Sequence, residues 1–286
     1  MMLPISGLPV APRPDFRWPG GRRMALWVAV GVESYRPDEG RTEDILPRSA
    51  APDHVNAAWR AYGNRVGAMR LFERLSGAGI VPTVLLNTDV YDEAPEVIAA
   101  ARRTGAEIVA HGLSNSDCLA DMGAEEELAY LRRTRDRIAA EEGTAPRGWS
   151  SPWLAHGART LPNLARAGFD ILLDLRMDDR PVTLDTGAGP LLAVPYAAEL
   201  NDSTTMIGRQ VTARAFAGMI ADEAEELLRN PDGPPVVMSV VLHSFIAGQP
   251  FRAGPVCDAL AGLARRGSEV WCATPSRIAD AWHGAG

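Results

Sequence analysis

Three side chains in this sequence stand where ionisable groups can do chemistry. Glu33 follows the apolar run Met24–Val32, His111 closes Ala106–Ala110, and His243 closes Pro235–Leu242. A carboxylate or imidazole at the end of such a run is half-buried and open to pKa tuning. It can act as a general base, a proton donor or a metal ligand. Each has a plainer alternative: a histidine that caps a strand, or a Glu33 paired with Arg36 or Arg41. Other apolar runs also end in hydrogen-bonding groups: Asn87 and Asp89, Ser114-Asn115, the stretch Trp149 to Trp153, Asp174, and Tyr196 followed by Asn201-Asp202. Trp149, Trp153 and Tyr196 are suited to walling a pocket, with Asn115, Ser151 and Asp202 supplying hydrogen bonds to a substrate. Asp178-Asp179 before Arg180-Pro181 reads as a turn. His54 reads as solvated, and His156 and His283 as structural or surface residues.

The elements that must carry these residues alternate between strand and helix. Strands are predicted over Met24–Val32, Val81–Asn87, Ala106–His111, Arg147–Ser151, Phe169–Leu173, Leu191–Pro195, Pro235–His243 and Glu269–Ala273. Their apolar runs are continuous rather than alternating, as in strands covered on both faces. Helices are predicted over 64–76, 94–104, 124–142, 212–230, 255–266 and 275–282, the first with Asn64 as its N-cap. Strands separated by helices give right-handed βαβ units and a mainly parallel sheet, whose carboxyl edge gathers function. This many units predict a barrel, and the same pattern also suits an open doubly wound sheet. No linker or repeat divides the chain, so 1–286 is expected to be one domain. Residues 1–20 form an N-terminal arm, and 33–62 a long polar loop over the barrel mouth.

Composition removes several function classes. Hydrophobic residues are 46% and charged residues 23%, which is ordinary globular usage and argues against disorder. Lys plus Arg is 29 against 36 Asp plus Glu, a net charge of −7, and no basic run is present. Nucleic-acid binding is therefore not expected. No uncharged apolar run is long enough to span a bilayer, and no apolar core follows basic residues near the start, so neither a membrane anchor nor a secretory leader is expected. The cysteines Cys118, Cys257 and Cys272 are scattered, which fits reduced thiols and a cytoplasmic location.

Phosphate-cradling loops and a G-x-S-x-G nucleophile elbow are absent from the sequence. A metal pair would need a second histidine four residues after His111, and that position is Asn115. An amide oxygen is a poor zinc ligand, so no cofactor is expected. If a divalent metal such as zinc is bound, Glu33, His111 and Asn115 are its candidate ligands.

The ordered motifs resemble a known superfamily. They are an early strand ending in an acid, A-H-G at Ala110-His111-Gly112, R-G-W-x-S-P at Arg147 to Pro152, V-P-Y…N-D at Val194 to Asp202, and L-H-x-x-x-x-G-x-P-x-R at Leu242 to Arg252. This set resembles the polysaccharide deacetylase superfamily with its NodB-homology domain, and within it the branch of cofactor-independent allantoinases. The resemblance implies a distorted (β/α) barrel, hydrolysis of a non-peptide carbon–nitrogen bond, and a homo-oligomer. The metal-dependent members carry paired acids in the first motif and histidines four apart in the second. Here Glu33 is followed by Ser34, and Asn115 takes the place of the second histidine.

These readings combine into an expected activity: attack of water on the amide or ureide carbonyl of a small molecule, with Glu33, His111 and His243 catalytic. Glu33 or His111 deprotonates the water, and His243 stabilises the oxyanion or protonates the leaving nitrogen. The alternatives are a metal-assisted N-deacetylase of amino sugars and a degenerate barrel that only binds a ligand.

Overall fold

The computed structural model describes residues 16–48 and 51–284. In chain order the elements are β1 (Met24–Val32), α1 (His54–Tyr62), α2 (Ala68–Gly77), β2 (Thr83–Leu86), α3 (Val90–Glu93), α4 (Pro95–Arg103), β3 (Glu107–Ala110), α5 (Ala124–Glu142) and β4 (Gly148–Trp149). They continue with α6 (Thr160–Ala167), β5 (Ile171–Leu172), β6 (Val182–Asp185), β7 (Pro190–Ala193), α7 (Ala213–Leu228), β8 (Val236–His243), α8 (Pro250–Ala264), β9 (Val270–Cys272) and α9 (Pro275–His283).

All strands join one sheet in the order β6-β7-β5-β4-β3-β2-β1-β8, with β9 also on β1. Every pairing is parallel except the β6–β7 hairpin. Beyond β8 the ring is completed by irregular backbone: Val241 N–H donates to Leu200 O at 2.9 Å and Val237 N–H to Asp179 O at 2.7 Å. The sheet is thus a distorted (β/α) barrel rather than a regular one.

β1 shows how this barrel sets its site. Met24, Leu26, Val28, Val30 and Val32 pack towards the helices, whereas Ala25, Trp27 and Ala29 face the barrel interior. The side-chain period of two carries the interior parity on through Gly31 to Glu33. The same alternation places Leu85 inside on β2, Val109 and then His111 after β3, and Val237, Val241 and then His243 on β8. Pairing aligns Gly31 with His243 and Leu86 with Ala110, which brings these ends to one level. The opposite end of the barrel is stopped with aromatics. Trp18 is fully buried, stacks on Trp271 at 5.9 Å and donates its indole N–H to Val236 O. Trp18, from the expected arm, is therefore part of the core, while residues 1–15 lie outside the described residues.

Besides the helices α3 and α6, which lie outside the expected set, the structure departs from the sequence reading in three places. The expected 33–62 loop stops at residue 53, because α1 runs into α2 through a π-helical turn, Gly63–Gly67. The helix is capped by Asp53, whose carboxylate accepts the Asn56 N–H. Its buried residues are Asn56 and Arg60, a polar inner face that no hydrophobic period reveals. Asn64, expected as an N-cap, lies inside this stretch and donates to Glu33 O at 2.8 Å. Second, α8 starts at Pro250 and continues through Pro255, where the helix was expected to begin. Pro250 takes the first turn, where an N–H is not needed. Third, β6 is an additional strand, added antiparallel at the sheet edge.

Candidate active site

At the carboxyl edge a cavity of about 110 Å³ is lined by Glu33, Glu43, Leu85, His111, Asn115, Ser151, Trp153, Leu154, Tyr196, Asn201, Ser203, Thr204 and His243. Glu33 is its centre, with a side chain only 1% exposed. Oε2 accepts from Tyr35 Oη at 2.7 Å and from Asn115 Nδ2 at 3.0 Å. Oε1 makes no hydrogen bond, yet it lies 3.3 Å from His243 Nε2 and 3.7 Å from His111 Nε2. Gly31, two residues before, leaves the room: a Cβ there would stand 2.9 Å from Glu33 Oε1 and 3.3 Å from His243 Cδ2.

The two histidines are held in opposite protonation states. His243 Nδ1 lies 2.6 Å from Asp202 Oδ1. Asp202 is itself fixed by the backbone N–H groups of His243 and Ala247. Burial works against a charge on His243. The Glu33 and Asp202 carboxylates outweigh it and push its pKa up to about 10. His243 is therefore an imidazolium at neutral pH, with an Nε2 proton facing the cavity. His111 Nδ1 lies 2.7 Å from Ser150 O, which can only accept, so Nδ1 carries the hydrogen. Burial holds His111 below its ordinary value, with Glu33 opposing the shift. It is neutral at pH 7, and its Nε2 lone pair faces Glu33.

Gly112 follows at φ 82°, where an added Cβ would collide with Tyr130 Oη. On the far wall Trp153 and Leu154 adopt φ of 63° and 51°, two adjacent left-handed residues. Such strain persists where the surroundings impose it. Here Trp153 donates its indole N–H to Asn115 O at 2.7 Å. Asn115 Nδ2 also donates to Tyr35 Oη, which leaves Asn115 Oδ1 buried without a partner.

Of the residues singled out in the sequence, Glu33, His111, His243, Asn115, Ser151, Trp153 and Tyr196 meet in this cavity. Two do not line it. Trp149, expected in the pocket wall, is wholly buried on the helix side, tilted against Phe169 at 5.3 Å. It donates to Ser151 Oγ at 2.9 Å. Asp202, expected to touch substrate, lies behind His243. His156, read as structural, pairs with buried Asp174 at 2.8 Å, and Asp174 in turn accepts the Ser151 N–H. Asn201, noted after Tyr196 in the sequence, also lines the cavity, whereas sequence reasoning missed Tyr35, Glu43, Ser203 and Thr204. Tyr35 shares the parity of Glu33 two residues on, so it could have been found; Glu43 lies in a polar loop with no such signal.

The donors fit a divalent metal poorly. Asn115 turns its amide nitrogen, a donor, towards Glu33. Of the nearby imidazole nitrogens, His111 Nε2 offers a lone pair, whereas His243 Nε2 carries a proton. Among the described residues no group of three His, Cys, Asp or Glu side chains converges on a metal position.

No family model matches the chain, and no curated protein matches it. Solved structures do. A probable polysaccharide deacetylase from Pseudomonas aeruginosa PAO1 superposes with a TM-score of 0.83 at 23% identity, covering 96% of this chain and 95% of the other. PuuE allantoinase gives 0.86 at 22% identity, covering 99% and 97%. The chain has the polysaccharide deacetylase fold. That fold also accommodates a CE4 family pseudoenzyme from Bacillus anthracis, at a TM-score of 0.53 and 11% identity over 91% of this chain and 67% of that one. Among the described residues, no helix is long and apolar enough to cross a membrane.

Proposed function

We propose that the chain is a hydrolase of a non-peptide carbon–nitrogen bond in a small amide or ureide, working without a metal. One observation carries this reading. A neutral and a charged imidazole present their Nε2 atoms to the same buried carboxylate oxygen, 3.7 and 3.3 Å away. Glu33 Oε1 and His111 Nε2 are both acceptors, and their separation suits one water donating to each. The water oxygen then faces the cavity with its lone pairs free to attack a carbonyl carbon.

His111 is the stronger candidate for the base. Glu33 Oε2 already accepts from Tyr35 and Asn115 and Oε1 faces the His243 cation, whereas His111 Nε2 has an open lone pair and no cation beside it. As the water attacks, its proton passes to His111 Nε2, and negative charge grows on the substrate oxygen. Among the described residues lining the cavity His243 is the one cationic donor, and its Nε2–H stabilises that oxygen or gives its proton to the leaving nitrogen. Ser151, Tyr196 and Asn115 supply hydrogen bonds to the substrate.

The test is hydrolysis of allantoin and of an N-acetylated amino sugar, with and without chelator, together with elemental analysis. Metal-free protein with chelator-insensitive ureide hydrolysis supports the proposal. One metal per chain with chelator-sensitive acetate release assigns the site to a metal-assisted deacetylase instead. Ligand binding with no turnover of either substrate class assigns it to a binding barrel. Activity should be bounded on the acid side below the ordinary histidine range, where His111 becomes protonated, and on the alkaline side near pH 10, where His243 loses its proton.

A further inference from the structure

The polar groups of the cavity are unevenly distributed. Glu33 Oε1 and Asn115 Oδ1 are buried acceptors without partners. Acceptors left unpaired in a protein interior are costly unless something else brings the donor. A third acceptor comes from above. The segment 34–48 crosses the mouth as a strap and sets Glu43 into the cavity lining. One hydrogen bond secures the Glu43 carboxylate: Ser203 Oγ donates to Oε2 at 2.8 Å.

The strap is fastened by the inner face of α1. Arg60 donates to Glu43 O at 2.9 Å and pairs with Asp44. Asn56, 1% exposed, accepts the Ile45 and Leu46 N–H groups and donates to Leu46 O. Buried polar side chains of this kind add nothing to a hydrophobic core. Their effect is to fix the Glu43 carbonyl and the backbone that follows it.

We propose that Glu43 is the specificity-determining residue of this cavity, a pre-positioned acceptor for the paired N–H groups of a urea- or amidine-type substrate. A carboxylate takes two parallel N–H bonds from neighbouring nitrogens, and the geometry adds selectivity as well as strength. Acetamide carries both its N–H bonds on one nitrogen, where they diverge, and cannot make that fork. The inference rests on the hydrolase reading above and narrows its substrate class.

Isothermal titration with N-methylurea, an open-chain urea whose two nitrogens can present parallel N–H bonds, and with acetamide tests it on wild-type protein, Glu43→Gln and Glu43→Asp. Gln keeps the shape and loses one acceptor oxygen, while Asp withdraws the carboxylate by one methylene. Both variants should bind N-methylurea about 10- to 100-fold more weakly, the loss expected for a hydrogen bond to a charged group. Acetamide affinity should stay within about twofold, since acetamide cannot make the fork. Equal losses for both ligands, or no loss for N-methylurea, overturn the proposal, as does wild-type protein that binds no N-methylurea. Steady-state kinetics on the ureide separate one further case. A rise in KM at constant kcat is expected, whereas a fall in kcat with a shifted alkaline limb means that Glu43 acts through His243. That result too overturns it. Titration needs no turnover, so absence of hydrolysis would defeat the proposed function while leaving the specificity test intact.

Discussion

Asp202→Asn isolates the feature on which the proposed chemistry depends. The Asp202 carboxylate receives three donors: the His243 N–H, the Ala247 N–H and the His243 imidazole at 2.6 Å. An asparagine has one acceptor oxygen, so its NH2 group must confront either the Ala247 amide or the imidazole Nδ1–H. A hydrogen bond to a charged partner contributes ~1.5–3 kcal/mol. Since one pKa unit corresponds to ~1.4 kcal/mol, His243 should fall by about one to two units. Glu33 still faces it, so it should not drop all the way to its ordinary value. The alkaline limb of kcat/KM, expected near pH 10 in the wild type, should move down by that amount. At neutral pH His243 still carries its proton, so kcat there should fall by less than the ~10²–10⁴-fold of losing a positioned acid–base group. A direct check follows the His243 ring resonances by NMR through the same pH range. An unmoved alkaline limb, with kcat within about threefold of wild type, would refute both the charge assigned to His243 and the role given to Asp202.

Gly31→Ala should lower kcat about 100-fold with little change in melting temperature, because the new Cβ displaces Glu33 Oε1 and His243 rather than backbone. Asn56→Ala should cost ~1–3 kcal/mol in chemical denaturation and open residues 41–48 to limited proteolysis, since buried bonds to the strap are lost. Stability should also respond to pH in opposite senses at the two histidines. The raised His243 contributes stability in full below about pH 6.5, and loses it as pH rises through about 10. The lowered His111 contributes above its unfolded value and loses that contribution as pH falls through its folded one. The difference in melting temperature between wild type and His243→Gln should accordingly shrink steadily across the alkaline range, and a constant difference would count against the assignment.

Much of this architecture is legible in the residues. The unbroken apolar runs of β1 and β8 announce strands buried on both faces, and the ionisable residue after each run marks the functional edge. The residues alone therefore place Glu33, His111 and His243 together. What sequence conceals is direction. Trp149 and Asp202 lie on the same edge, yet one turns into the helix-side core and the other sits behind a histidine, because rotamer and local register decide where each side chain ends. The strap was legible only as a polar stretch. Its order comes from Asn56 and Arg60, whose burial is a tertiary fact with no periodic trace. The beginning of α8 was misplaced because Pro255 looks like a first-turn residue and is instead an interior one.

The unequal charge of the cavity bears on how a catalytic cycle would finish. Glu33, Asp202 and Glu43 surround a single imidazolium, so the pocket is formally negative. Hydrolysis of an amide or ureide converts a neutral carbonyl group into a carboxylate or carbamate. The anion is formed among carboxylates in a medium of low dielectric, where like charges repel strongly. The same groups that admit a neutral N–H-rich molecule thus eject what it becomes. Turnover in such a barrel would be pulled forward by product expulsion, with little inhibition by the acid it releases.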